Sequence, residues 1–193
     1  MARQREFNTG NALQKAMQVL WAKGYKATSL QDLTAAMGIS KSSFYETFGG
    51  KHELFLSALK HYDERTVEWP EGVFEGEASA RLGITNIFNA AIGKLTAANS
   101  RRGCLLGSSA IEVSPHDPDV EAAVNKGLAR ISRAFHRAVK RGQKEDEISS
   151  RHDPRSLARF LLGSINGLQV IGKANPDRAV LEDIARVTMA ALD

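Results

Sequence analysis

A single cysteine in 193 residues rules out an internal disulfide and suits a reducing compartment. No run approaches the roughly eighteen apolar residues of a membrane-crossing helix. The N-terminal stretch MARQREFNTG lacks the apolar segment of a signal peptide, so the chain is expected to stay in the cytoplasm with no membrane partner. There is no glycine-rich phosphate loop and no nucleophile elbow. Five histidines (His52, His61, His116, His136, His152) are scattered, with no pair at metal-ligand spacing near a second acid or cysteine. Neither a metal nor another cofactor is expected. Prolines number only five, and no convincing strand, internal repeat or low-complexity tract is found. What remains, 42% hydrophobic and 25% charged residues, suits an all-α protein with one good core or two small domains.

The net charge of +4 is unevenly placed. Residues 1–51 hold seven cations (Arg3, Arg5, Lys15, Lys23, Lys26, Lys41, Lys51) against three acids (Glu6, Asp32, Glu46), while residues 52–193 hold nineteen of each. An excess confined to one segment is the electrostatic footprint of a surface that meets phosphate.

That segment contains TSLQDLTAAMGISKSSFYETFGGK, Thr28 to Lys51. Thr28-Ser29-Leu30-Gln31 fits a capping box, with the Thr28 hydroxyl accepting from a first-turn amide and Gln31 reaching back. Leu30, Leu33 and Met37 recur at helical spacing, and Gly38 follows where a helix needs positive φ. Ile39 plugs the corner and Ser40 caps a second helix, Lys41 to about Phe48, that turns Phe44 and Phe48 inward. Lys41, Ser42, Ser43, Tyr45 and Thr47 face outward, and Gly49-Gly50 stops the helix. A helix, a tight turn and a second helix with a polar, cationic start is the layout of a helix-turn-helix DNA reader, although an ordinary αα-corner shares the spacing. Lys41 is suited to guanine O6 or N7, and the serines to bases or phosphates.

Gly24-Tyr25, Thr28-Ser29, Gly38-Ile39-Ser40-Lys41, Phe44-Tyr45, Phe48 and Lys51 together resemble the N-terminal domain of the TetR family of repressors. The match is strong over about the first 65 residues and mostly architectural beyond them. It implies about nine helices: a reader over residues 1–50, with its motif at about 29–48, and a ligand-binding and dimerisation domain over 51–193. It implies DNA contacts at Thr28, Ser29, Ser40, Lys41, Ser42, Ser43, Tyr45, Thr47 and Lys51, with Tyr45 and Lys51 at the family's phosphate-contacting positions. Glu46 and Thr47 stand where an aromatic and a histidine are often found, so Glu46 either accepts from cytosine N4 or repels the backbone. Thr34 replaces a usual alanine.

Further helices are expected at about Asn8–Lys23, with Trp21 in the core, and from Lys51 until Trp69-Pro70-Glu71-Gly72 breaks the pattern. Another is expected at about Ala78–Ala98, then a polar turn Asn99–Gly103 and a short helix from Cys104 to Ile111. Asp117-Pro118, Asp153-Pro154 and Asn175-Pro176 each read as a cap followed by proline at the first helical position. The resemblance implies a homodimer pairing through 154–173 and 176–192, where Gly163, Ser164 and Gly167 let a helix approach, and double-stranded operator DNA as partner. It also implies a small-molecule or thiol-reactive inducer in a C-terminal pocket, with Phe88, Ile92, Cys104, Ile111, Phe135 and Phe160 as candidate lining residues that equally suit plain core.

Cys104 follows Arg101-Arg102-Gly103 at a helix start, and both features favour a thiolate. Arg-Gly-Cys-Leu also resembles a subset of the family, some of whose members sense electrophiles or oxidants through cysteine. Two other readings stay open. Cys104 with His136 would make a hydrolase pair, and Arg130, Arg133, Arg137, Lys140, Arg141 and Lys144 would make a non-specific DNA-binding stripe, or simply a solvated face.

Overall fold

The computed structural model describes residues 7–97 and 102–193, and the side chains of all of these except 65–71 and 75. Among them are nine α-helices and one 3₁₀ turn: α1 (Thr9–Lys23), α2 (Leu30–Met37), α3 (Lys41–Phe48), α4 (Lys51–Gly76), α5 (Ala80–Thr96), α6 (Leu105–Glu112), the 3₁₀ turn Ser114–His116, α7 (Pro118–Lys144), α8 (Pro154–Ala174) and α9 (Arg178–Ala190). Arg3, Arg5, Glu6, Ala98 and the Asn99–Arg101 part of the polar turn lie outside the described residues.

Most starts are fixed locally by a side chain that accepts from a first-turn amide. Asn8, Ser40, Ser79, Asp117 and Asp153 do this at α1, α3, α5, α7 and α8. Two starts differ from expectation. Ser29, not Thr28, caps α2, in a reciprocal box with Asp32 rather than Gln31. Asp177, not Asn175, caps α9: its carboxylate accepts from Ala179 and Val180, and a charged acceptor serving two amides wins over Pro176 at the first helical position.

The break at Trp69-Pro70 does not occur, and α4 runs on to Gly76. Proline removes one hydrogen bond of the ladder. Beyond it Phe74 is buried with its ring 5.7 Å from that of Phe135, and burial of that ring offsets the loss.

α1 packs on α2 and α4, and α3 leans on α4. α4 then runs into the larger bundle against α5, α6 and α7, while α7 packs on α8 and α5 on α8 and α9. One continuous apolar cluster joins the small unit (Leu20, Leu33, Phe44, Leu54, Phe55) to the bundle (Ile84, Phe88, Leu106, Phe135, Leu161). The expected arginine-rich stripe of α7 is only partly a solvated face. Arg130 pairs with buried Asp63 at 2.8 Å and Arg141 donates to the Glu77 carbonyl, while Arg133, Lys140 and Lys144 are exposed.

Candidate nucleic-acid interface and ligand cavity

α2 and α3 are set by the turn between them. Gly38 adopts φ 70°, ψ 34°, the left-handed conformation glycine reaches without penalty, and its N–H and that of Ile39 close on carbonyls of α2. Phe44 is fully buried, so α3 is anchored from below and its other faces turn outward. Ser40, Lys41, Ser42 and Tyr45 are exposed, and Ser43, Thr47 and Lys51 are half-buried. The Ser40 hydroxyl accepts from the Ser43 amide and donates to Ser43 Oγ at 3.0 Å. Ser42 donates to Glu46 Oε1 at 3.0 Å, so Glu46 is held along α3 by its neighbour. Tyr45 is 54% exposed, its ring edge-on to Phe44 at 5.4 Å. The Lys51 ammonium lies 4.4 Å from the centre of the Tyr25 ring, a cation–π contact that fixes the start of α4.

Two expected sites are corrected or qualified here. Thr28 is 1% exposed, and its hydroxyl donates to the Gly24 carbonyl at 2.6 Å, which leaves no surface for a ligand. Ser29 is exposed, with its hydroxyl engaged by Asp32. Lys23 at 2.6 Å and the Ser29 groups hold the Asp32 carboxyl well below its usual range. Thr34 fits the alanine position because its hydroxyl donates back to Leu30 and Gln31 carbonyls.

The six candidate lining residues do not converge. Cys104 and Ile111 share a cavity of about 380 Å³ between α6 and α8, with Glu112, Asn166, Gln169 and Lys173. Phe88 and Ile92 stand behind a separate hollow between α5 and α9. Phe135 is core, and Phe160 is 47% exposed on the outer face of α8. Residues of a single periodic stripe point one way, and two different helices are needed to enclose a space; that geometry cannot be read from spacing alone. Asn166, Gln169 and Lys173 give no separate signal in the sequence.

Cys104 does cap α6, accepting from the Gly107 amide at 3.3 Å. The expected thiolate is not favoured, however. Burial pushes the Cys104 thiol up, outweighing the Gly107 amide, the Tyr62 hydroxyl and the Leu106 amide. Arg102 turns away to Gln18 and stacks over Trp21, and no histidine is among the groups that shift the thiol. Trp21 itself is only half-buried, edge-on to Tyr62 at 5.1 Å, with its indole N–H donating to Gly103. The fold also gathers His52, Asp117 and Asp119, with ligand-type atoms within 4.8 Å of one another. Asp117 already caps α7 and pairs with His52 at 2.9 Å, so the group ties α4 to α7.

A small helix-turn-helix unit carried on a larger helical bundle, with a polar, cationic helix face outward, defines a DNA-reader architecture. Residues 12–58 match bacterial regulatory proteins of the tetR family, and residues 80–188 match the tetracyclin repressor-like C-terminal domain. The uncharacterized HTH-type transcriptional regulator YezE of Bacillus subtilis (strain 168) is 34% identical across 100% of both chains. The HTH-type transcriptional repressor ComR of Escherichia coli (strain K12) is 29% identical, over 97% of this chain and 90% of its own. A cysteine mutant of the TetR family transcriptional regulator CifR, complexed with 26bp double-strand operator DNA, superposes with a TM-score of 0.88 at 31% identity over 100% of each chain. The chain belongs to the TetR family of helix-turn-helix transcriptional regulators, a family of regulators and not of enzymes. No helix among the described residues is long and apolar enough to cross a membrane.

Proposed function

We propose that this protein is a repressor that binds a palindromic double-stranded operator as a homodimer. Residues 1–50 act as the reader, and residues 51–193 dimerise and take the inducer. The observation that carries this is the outward face of α3, where Lys41, Ser42 and Tyr45 stand exposed on a helix anchored by buried Phe44. Support comes from CifR, 31% identical over its whole length and bound to operator DNA. Ser40, Lys41, Ser42 and Ser43 meet base edges and adjacent phosphates, while Ser29, Tyr45, Thr47 and Lys51 hold the backbone.

The test is binding of the purified protein to its own upstream DNA and to random duplex. Lys41→Ala is expected to lose discrimination between the two. Lys51→Ala is expected to weaken both about equally and to reduce the salt slope by about one. Equal losses on both DNAs for both variants, with unchanged salt slopes, would contradict these roles.

For the dimer, the support is the outer surface of the last two helices. Phe160, Val170, Ile171, Val180 and Val187 are exposed there, and a Cβ at Gly163 or Gly167 would meet nothing within 4 Å. A patch of this kind on a lone chain marks an association surface. Phe160→Glu combined with Val187→Asp is expected to give a folded monomer by sedimentation and to lose most operator affinity. A dimer of unchanged stability would move the interface elsewhere.

The inducer is a small molecule that enters the cavity between α6 and α8, where it touches Cys104. A thiol whose charge is suppressed by burial favours reversible binding over rapid attack on an electrophile. Release from operator by an electrophile in the wild type, abolished by Cys104→Ser, would instead assign a covalent inducer.

A further inference from the structure

α1 ends at Gly24, whose φ of 86° and ψ of 167° turn the next two amides the same way. Tyr25 N–H donates to Glu112 Oε2 at 3.1 Å, and Lys26 N–H donates to Glu112 Oε1 at 2.7 Å. Successive backbone amides that converge on an anion form a nest, and here the anion is a carboxylate 86 residues away in sequence from its nearer donor. A side chain at the base of the socket would push the carboxylate out of its seat, since a Cβ on Gly24 would lie 2.8 Å from Glu112 Oε2. Thr28 closes the same turn by donating its hydroxyl to Gly24 and its N–H to Tyr25.

Glu112 is the last residue of α6, where a negative charge opposes the helix dipole. A carboxylate there is locally unfavourable and is offset by the two amides it reaches. The opposite end of α6 also grips α1: Trp21 Nε1 donates to the Gly103 carbonyl at 3.0 Å, and Arg102 reaches Gln18. One short helix of the bundle thus holds both the side and the exit of α1, and the exit leads directly into α2. Glu112 also walls the cavity between α6 and α8, so an occupant of that cavity would touch the residue that holds the turn.

We infer that Glu112 is a positioning residue for operator recognition: its carboxylate, seated in the Gly24–Lys26 nest, fixes the angle of the reader on the bundle. Two bundles joined as a dimer present their readers at a spacing set by such contacts, so loosening the seat costs operator affinity and spares binding to random duplex. This rests on the repressor reading above.

Glu112→Ala and Glu112→Gln test it, with operator and random-duplex affinities and backbone amide exchange at Tyr25 and Lys26 measured on the full-length protein. Alanine removes both acceptors. Glutamine keeps one acceptor and sets its NH₂ against the other amide. Operator affinity is expected to fall roughly tenfold or more for alanine and less for glutamine, as for loss of charge-assisted hydrogen bonds. Random-duplex affinity should stay at the wild-type level, and exchange at both amides should quicken. Unchanged operator affinity, unchanged amide protection, or equal losses on both DNAs would each overturn the assignment. Wild-type protein that does not prefer its upstream DNA would sink the repressor reading instead, and the exchange measurement would still test the seat.

Discussion

Phe44→Ala is expected to cost about 3–5 kcal/mol and to abolish operator binding, the cost of emptying a well-packed aromatic site. Phe44 is 0% exposed, with the rings of Tyr45 and Phe48 at 5.4 and 5.9 Å. α3 has only eight residues, and helices that short do not hold their shape without tertiary packing. Its start is capped by Ser40, but a cap contributes only about 1 kcal/mol and cannot hold the helix against α4. Losing Phe44 therefore removes both the seat of α3 and the rigid presentation of Lys41 and Tyr45. Urea unfolding and operator binding check this together. Phe44→Leu, which keeps most of the buried volume, should retain measurable binding. Wild-type operator affinity in Phe44→Ala would show that α3 is held by something other than this ring.

Arg130→Met should be nearly as damaging for the bundle, about 3–5 kcal/mol by urea unfolding, because it strands a charge. Asp63 on α4 is 7% exposed, and its Oδ2 accepts from Arg130 Nη1 of α7 at 2.8 Å. The other oxygen, Oδ1, is buried without a hydrogen-bond partner among the described residues, and a Cβ on Gly127 would come within 3.2 Å of it. Among the described residues the carboxylate depends on one guanidinium, and removing that partner leaves the desolvation cost uncompensated. Asp63→Leu with Arg130→Met should recover most of the loss, since apolar replacement of both members of a buried pair is often neutral. A double variant as unstable as the single one would mean that Arg130 acts through its aliphatic packing rather than its charge. The same pair takes Arg130 out of the cationic face of α7.

What was legible in the sequence was local. The cap residues Ser40, Asp117 and Asp153, the left-handed Gly38, and the inward Phe44 are governed by interactions spanning about four residues or fewer, and each lies where its spacing puts it. Even the failures among local signals were near misses between neighbours: Ser29 for Thr28, Asp32 for Gln31, Asp177 for Asn175. Adjacent residues with similar chemistry compete for one role, and which of them wins depends on where the preceding segment enters. Thr28 instead closes the turn before the helix, its hydroxyl donating to the Gly24 carbonyl.

Pro70, Cys104 and Glu112 show where such reading ends. Proline predicts a break through the hydrogen bond it removes, whereas the burial of Phe74 against Phe135, which lies 61 residues further on in the chain, keeps the helix going. Cys104 has the neighbours of a thiolate, but packing buries it and turns Arg102 toward Gln18 and Trp21. Glu112 has no local signature at all, because its partners are backbone amides of a turn 86 and 87 residues earlier in the chain. The sequence by itself determined the helix pattern, the turn and the outward face of the reader, since those follow from short-range caps, periodicity and glycine conformation. Only the tertiary structure decided which side chains enclose a cavity, which charges are buried and what seats the reader on the bundle, because those depend on distances between residues that the chain brings together only when it folds.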